Sequence, residues 1–264
     1  MLSLAVNRRT ALLFLGSGAG AVLMSACGGN TSNTESSASP LASSSSASST
    51  SSSSSETSSS ASPSASPSRR NSFQRGFDVE LNNADMEYTG EGYMYSTREK
   101  PGYGWSHPKR PQEMSENSEL GLYYSWAYAS AGISYAMKTG DDTYIKQSGM
   151  TEGDQKLFKS IALLEETREG KYWEESGNFV YRLESDHPEK KGEEYSWPYQ
   201  LQMFHGDFYV RNGEVHEIPE NTDGWGKIVY SAGTLKARYL DGAWQMEGFF
   251  EGIATDVVGK PFDK

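Results

Sequence analysis

The Ser-rich segment from residue 30 to residue 68 restricts the part of this 264-residue chain that can form a folded domain. It contains 22 serines among 39 residues, and Leu41 is its one large apolar side chain. Such a composition cannot bury enough apolar surface to offset the entropy lost on ordering. The sequence therefore predicts a disordered linker over residues 27–70, with a span of roughly 35 Å from random-coil scaling. Residues 71–264 have the steady supply of apolar and aromatic side chains that a folded domain requires.

Residues 1–26 have the organisation of a lipoprotein signal peptide. Arg8 and Arg9 form a short positive segment, an uncharged apolar run follows, and small side chains come directly before Cys27. The apolar run is shorter than the roughly 20 residues that a helix needs to cross a bilayer. Residues 23–27 resemble a bacterial lipobox, and this resemblance implies that the chain is cut before Cys27 and acylated on its thiol.

Cys27 is the only cysteine of the chain, so it cannot form an internal disulfide. Acylation would remove an exposed thiol, and two fatty-acid chains such as palmitate suffice for stable anchoring. We therefore predict that the lipid bilayer is a partner and that the chain lies at the outer face of the cytoplasmic membrane. The alternative is that Cys27 is an ordinary residue beside a signal-peptidase site. The export route, Sec or twin-arginine, stays open because the residues around Arg8 and Arg9 match the twin-arginine pattern poorly.

The chain is acidic, with a formal charge of −11 that becomes −13 once Arg8 and Arg9 leave with the signal peptide. Nucleic acids and anionic membrane surfaces both attract basic patches. The charge therefore argues against a nucleic-acid partner. It also suits the solubility of an exported domain.

The hydrophobic period of residues 71–264 changes from helical to alternating along the chain. This order predicts one α+β domain in which N-terminal helices pack on a curved antiparallel sheet. Residues 71–110 are predicted to be an extended strap, and residues 111–264 to be the core. The aromatic side chains of the strap are expected to fix it to the core. They are Tyr88, Tyr93, Tyr95, Tyr103 and Trp105.

The clearest helix is predicted over residues 118–138. Ser118 suits an N-cap, Gly140 suits a C-terminal stop, and apolar residues recur every three or four positions. A short helix is predicted over residues 141–147, and another over residues 151–170.

Strands follow these helices, and two hairpins are predicted at Asn212-Gly213 and Asp241-Gly242, because such pairs favour two-residue turns. The predicted strands are Tyr172–Glu174, Phe179–Leu183, Tyr199–Phe204, Phe208–Arg211, Glu214–Ile218, Lys227–Leu240 and Ala243–Phe250.

Several short motifs of the core have a family resemblance. They are Pro111–Ser118, Tyr124, Trp126, Tyr135-Ala136, Thr139-Gly140-Asp141 and Gly242-Ala243-Trp244. They resemble an uncharacterised family of actinobacterial lipoproteins, a domain of unknown function with a lipobox and a Ser-rich linker. Members often carry a Cys-x-x-Cys pair that residues 148–154 lack, so no redox role carries over.

The order of helices and strands also resembles the cone fold of the SnoaL-like, nuclear-transport-factor-like superfamily. That resemblance implies a concave sheet face that can hold a ligand. Because the superfamily includes enzymes, binding domains and adaptors, the fold alone does not decide the function.

His205 and Asp207 are the strongest candidates for acid–base chemistry. At positions i and i+2 of a strand their side chains would share a face, where a carboxylate can orient a histidine as a general base. Gly206 lies between them, so the segment also fits a turn. The sequence has no nucleophile elbow, phosphate-binding glycine loop or zinc motif, and no cofactor or metal is expected.

Trp173, Trp197 and Trp225 are candidates for ligand contact, because exposed aromatic rings can stack on sugars or on partner side chains. Trp197 and Trp225 lie in polar, turn-like contexts, where core packing and ligand stacking are equally supported.

Two functions remain open at this stage. The first is a membrane-tethered domain that binds a cell-wall glycan or an envelope protein without catalysis, which the linker, the aromatic content and the lack of a catalytic motif favour. The alternative is a small SnoaL-like enzyme that uses His205 and Asp207 as its acid and base.

Overall fold

The computed structural model of this chain describes residues 72–88, 90, 92–220 and 226–254. The predicted signal peptide, Cys27 and the Ser-rich linker lie outside the described residues. The fold is α+β with a curled antiparallel sheet, as the sequence predicts, and the main helices precede the strands of that sheet.

Helix α1 is the longest helix of the described residues and has the predicted ends. The Ser118 hydroxyl accepts a hydrogen bond from the Gly121 N–H at 3.1 Å, and Gly140 ends the helix in a left-handed conformation. The predicted apolar stripe of α1 is buried. The helices are α1 (Glu119–Thr139), α2 (Thr143–Lys146), α3 (Glu152–Ile161), α4 (Leu164–Arg168) and α5 (Glu251–Ala254), with 3-10 turns at Asn83–Asp85 and Gln112–Ser115.

The strands form a main sheet, a small sheet and a short pair. They are β1 (Met86–Glu87), β2 (His107–Pro108), β3 (Tyr172–Glu174), β4 (Asn178–Leu183), β5 (Glu189–Lys191), β6 (Glu194–Phe204), β7 (Phe208–Arg211), β8 (Glu214–Glu217), β9 (Ile228–Leu240) and β10 (Ala243–Glu247). The main sheet has the order β10-β9-β6-β4, with β5 also paired to β6. The small sheet has the order β3-β7-β8, and β1 pairs with β2. All these pairs are antiparallel.

The strap covers the outer edge of β4 in the main sheet. The Val79 N–H donates to the Tyr181 carbonyl at 2.7 Å, and the Leu183 N–H donates to the Phe77 carbonyl at 2.9 Å. The edge of the sheet is therefore paired, which removes an exposed template for aggregation.

Strand β6 begins five residues earlier than predicted, and β5 was not predicted at all. The error comes from Pro198, which reads as a turn signal. The carbonyl of Pro198 accepts a hydrogen bond from the Glu184 N–H at 3.0 Å, and the nitrogen of Pro198 faces the same neighbour. On that side of β6 the neighbouring strand is interrupted, because residues 184–188 lie between β4 and β5 and belong to neither strand. A proline is tolerated there because that position lacks a strand partner needing its N–H.

The helix predicted over residues 151–170 is wrong as one piece, because it breaks at Leu163. This residue has a φ of 47° and separates α3 from α4. The break lets both Phe158 and Leu164 reach the core. Both predicted hairpins are confirmed, with positive φ at Asn212 and Asp241.

Four aromatic rings fill the space between α1 and the concave face of the main sheet. Trp126 of α1 meets Tyr181, Trp197 and Tyr199 at centroid distances of 5.7, 6.1 and 5.6 Å. All four side chains are essentially inaccessible to solvent. The face that the cone-fold resemblance assigns to a ligand is thus occupied by the protein's own core.

Asp154 of α3 fixes the turn that follows β10. Its Oδ2 accepts from the N–H groups of Gly248 and Phe249 at 2.7 and 3.2 Å. The Tyr199 hydroxyl donates to the Phe249 carbonyl at 2.8 Å. Burial raises the pKa of Asp154 above the usual carboxyl value, although the two N–H bonds act in the opposite direction.

We predict that Asp154→Ala destabilises the protein by about 1–3 kcal/mol, because two N–H groups lose their acceptor. Asp154→Asn keeps an acceptor oxygen and should cost much less.

The raised pKa means that protonated Asp154 contributes stability at low pH, which is lost as pH rises through the folded-state pKa. The stability of Asp154→Asn relative to the wild type should therefore increase with pH over that window. Urea unfolding at a series of acidic pH values measures this, and equal losses in both variants would contradict it.

Candidate functional site

Residues 92–105 form a short two-stranded segment, which we call the tyrosine ribbon. Its two arms pair where the Met94 N–H donates to the Tyr103 carbonyl at 3.1 Å and the Tyr103 N–H donates to the Met94 carbonyl at 3.0 Å. The turn at its tip is closed by a bond from the Thr97 N–H to the Lys100 carbonyl at 2.9 Å. The ribbon is thus a defined structure and not a loose loop.

Gly104 allows the two arms to approach closely at the base of the ribbon. It has a φ of 72°, and a Cβ at this position would lie 1.8 Å from the carbonyl oxygen of Gly92. Only glycine fits such a backbone contact. The close approach brings the Tyr93 ring to 5.0 Å from the Trp105 ring.

Large side chains of the ribbon are exposed to solvent. The expectation that the strap aromatics pack on the core is right for Trp105, which is buried, and wrong for the tyrosines. The sequence could not distinguish the buried aromatic residue from the exposed ones, because the residue type alone does not show which side chains meet the core. The exposed fractions are 47% for Tyr93, 46% for Met94, 68% for Tyr95 and 50% for Tyr103, and Tyr88, just before the ribbon, is 66% exposed.

The exposed side chains lie on both faces of the ribbon. Met94 and Tyr103 are directly opposite each other and therefore share one face. Tyr93 and Tyr95 flank Met94 and point to the other face, where their rings meet at 4.6 Å. Burial and the Tyr95 hydroxyl raise the pKa of Tyr93 to about 12, so its phenol is neutral at physiological pH.

The small sheet holds the tip of the ribbon. The Trp173 indole N–H donates to the Thr97 carbonyl at 2.8 Å. The Arg98 guanidinium makes two bonds to the Glu217 carboxylate, at 3.0 and 3.1 Å, and lies 4.6 Å above the Phe208 ring. Trp173 packs with Phe208 in a buried cluster. Trp173, a predicted ligand contact, therefore serves here as an anchor for the ribbon.

Lys138 of α1 lies at the base of the ribbon. Its Nζ is 4.7 Å from the centre of the Trp105 ring and donates to Asn178 Oδ1 at 2.6 Å. Burial lowers the pKa of this amine to about 8. A row of contacts thus runs from the exposed Tyr95 through Tyr93 and Trp105 to a desolvated cation.

The structure separates His205 from Asp207. Gly206 has a φ of 84°, so the segment is a turn and the two side chains do not share a strand face. Asp207 is exposed and pairs with Lys227 at 3.0 Å. His205 Nδ1 instead lies 2.9 Å from Glu174 Oε2. This pairing joins Glu174 of β3 to a residue that directly follows β6, and no local sequence signal predicts it.

The two remaining predicted contacts are Trp197 and Trp225. Trp197 is a core residue, with its indole N–H donated to the Ser185 carbonyl at 3.0 Å, which decides between the two interpretations left open for it. Trp225 lies outside the described residues. Among residues that the structure describes, no group of three or more His, Cys, Asp or Glu side chains could hold a metal ion.

An open cleft of about 420 Å³ lies among α2, α3 and α4. Its buried carboxylate, Asp142, is bound by Lys146 at 2.8 Å and by Lys159 at 3.1 Å. Although burial raises the pKa of Asp142, the two ammonium groups bring it below the usual value. These charges satisfy one another, so the cleft is a weaker candidate than the ribbon.

The chain belongs to a protein family of unknown function, DUF6318, whose model matches residues 91–249. The tyrosine ribbon lies within the matched region, and the resemblance to an uncharacterised domain family is confirmed. No curated protein and no solved structure matches the chain, so the resemblance to the SnoaL-like cone fold stays a prediction. Of the helices described here, none has both the length and the apolar character needed to cross a membrane.

We predict that Trp173→Phe loosens the ribbon, because the Thr97 carbonyl loses its donor. The amides of Met94 and Tyr103, which pair the two arms, should exchange with solvent faster, and the free energy of unfolding should fall by about 1 kcal/mol. Hydrogen exchange resolved by residue measures both effects. Trp244→Phe is the matched control, since the Trp244 N–H donates to the Glu116 carbonyl at 2.9 Å, far from the ribbon in sequence. Equal ribbon exchange in the two variants would refute the anchoring role.

We also predict that Lys138 gives the protein a specific pH dependence in the alkaline range. The pKa of Lys138 is about 8 in the folded state, against an ordinary value of 10.5. Between these two pH values the Lys138 amine is mostly protonated in the unfolded chain and mostly neutral in the folded one. Stability from this group therefore increases as pH rises from about 8 to 10.5. Chemical unfolding should show this slope in the wild type and not in Lys138→Met. An unchanged slope in the variant would show that Lys138 is not desolvated.

Proposed function

We propose that this chain is a membrane-anchored extracytoplasmic lipoprotein whose domain binds an envelope ligand through the tyrosine ribbon, without catalysis. The observation that carries the proposal is the set of large side chains that the ribbon leaves exposed. They are Tyr93, Met94, Tyr95 and Tyr103, with Tyr88 beside them. Exposed apolar groups gathered in one segment are typical of an interaction site.

The residue types suit binding. Tyrosine and methionine are enriched at protein interfaces, and a tyrosine ring adds large contact area with few rotatable bonds. The ribbon is held at its tip by Trp173 and Arg98 and at its base by Gly104. Because the segment is already ordered, binding loses little conformational entropy.

The anchoring part of the proposal rests on the sequence. The signal-peptide organisation and the single cysteine at position 27 favour a lipid anchor, and the Ser-rich linker would separate the domain from the bilayer. The ligand would then be a component of the envelope, either a cell-wall glycan or another envelope protein.

The enzyme alternative has less support from the geometry. His205 and Asp207 have separate partners, Glu174 and Lys227. The concave face that would form a SnoaL-like pocket is filled by Trp126 and its neighbouring rings. The buried contact of His205 with Glu174 is the one observation in favour of acid–base chemistry.

We predict that Tyr93→Ser/Tyr95→Ser lowers retention of the full chain on envelope fragments by roughly tenfold, since two stacking rings are lost. The measurement is the bound fraction of detergent-solubilised protein after sedimentation of the fragments. Val215→Ser/Leu240→Ser is the control, because it removes two exposed apolar side chains outside the ribbon. Equal retention of both variants would exclude the ribbon as the binding site, and no retention of the wild type would refute the binding role.

A further inference from the structure

We infer that the ligand of the tyrosine ribbon is an uncharged polysaccharide chain. The inference rests on the binding role proposed above and assigns the chemical class of the ligand. It follows from three properties of the ribbon: the types of side chain it exposes, their placement on two faces, and the balance of cations and carboxylates at its tip.

Three of the four large apolar side chains that the ribbon exposes are tyrosines, and the fourth is Met94. Residues 92–105 include Tyr93, Tyr95 and Tyr103 but no Leu, Ile, Val or Phe. A tyrosine combines an apolar ring face with a hydroxyl that can donate and accept a hydrogen bond. A sugar ring has the matching combination, with C–H groups on its faces and hydroxyls around its edge.

The placement on two faces favours a flexible polymer over a folded partner. Tyr93 and Tyr95 lie on one face, and Met94 and Tyr103 lie on the other. A folded protein with a flat surface would cover one face and leave the other in water. A polymer chain can cross the ribbon and contact both faces, and its repeated units can meet several rings at once.

The charges of the ribbon argue against an anionic polymer. Arg98 pairs with Glu217 at 3.0 Å, and the exposed Lys100 follows the exposed Glu99 in sequence, so the two cations of the tip are balanced by two carboxylates. Lys138 Nζ lies 4.7 Å from the centre of the buried Trp105 ring and is largely desolvated. Tyr93 is uncharged at physiological pH, as an ordinary tyrosine is, and its pKa is raised further, to about 12. The chain itself is acidic, which repels phosphate and carboxylate polymers.

The test uses the full chain and envelope fragments from the producing cells in three forms: untreated, digested with protease, and oxidised with periodate. Protease removes protein from the fragments, whereas periodate cleaves sugar diols. Binding of the wild type should survive protease and be lost after periodate. It should change little with ionic strength, since the ligand is uncharged.

Two tyrosine variants show which part of the side chain matters. Tyr93→Phe/Tyr95→Phe keeps both rings and should retain most of the binding. Tyr93→Ser/Tyr95→Ser should lose roughly tenfold on the untreated and on the protease-digested fragments. Both tyrosines are exposed, so the variants should unfold at the temperature of the wild type, and calorimetry checks this.

The outcomes separate the inference from the proposed function. If the ring-dependent binding is lost after protease and survives periodate, the ligand is a protein, and the polysaccharide inference fails while the ribbon remains the binding site. If binding falls steeply with salt, the uncharged ligand is refuted. If the serine variant binds untreated fragments as well as the wild type does, both the ribbon and the inference fail.

Discussion

The packing of Trp126 against Tyr181, Trp197 and Tyr199 is the contact on which the rest of the architecture depends. These rings join α1 to the curled sheet and bury large apolar areas, which dominate the stability of a domain this size. They also close the concave face. The concave face is therefore part of the core, and the large side chains that the domain leaves exposed lie on an outer segment, the tyrosine ribbon.

The small sheet links this core to the outer segment. Its strand β3 begins soon after α4, and β7 and β8 form one of the two predicted hairpins. Trp173 on β3 and Glu217 on β8 hold Thr97 and Arg98 at the tip of the ribbon. The ribbon therefore takes its position from a sheet that itself contributes little to the main core. This arrangement keeps a surface segment ordered without burying its side chains.

Local signals in the sequence predicted much of the fold. The ends of α1 follow from Ser118 and Gly140, and the two hairpins follow from Asn212 and Asp241 with the glycine after each. The failures involve tertiary context. Pro198 is acceptable in β6 because the neighbouring strand is interrupted there, which sequence does not show.

The exposed tyrosine ribbon was the least predictable part of the structure, and the reason is physical. Tyr93 and Tyr123 have the same side chain, yet one is half exposed and the other is buried, because a two-stranded ribbon has two faces and at most one can meet the core. The sequence favoured tryptophans as ligand contacts, but their large apolar side chains favour burial. Trp173 is an anchor of the ribbon, and Trp197 is a core residue. The tyrosines, whose hydroxyls can hydrogen-bond to water, are the aromatic residues that such a domain can leave exposed at its surface.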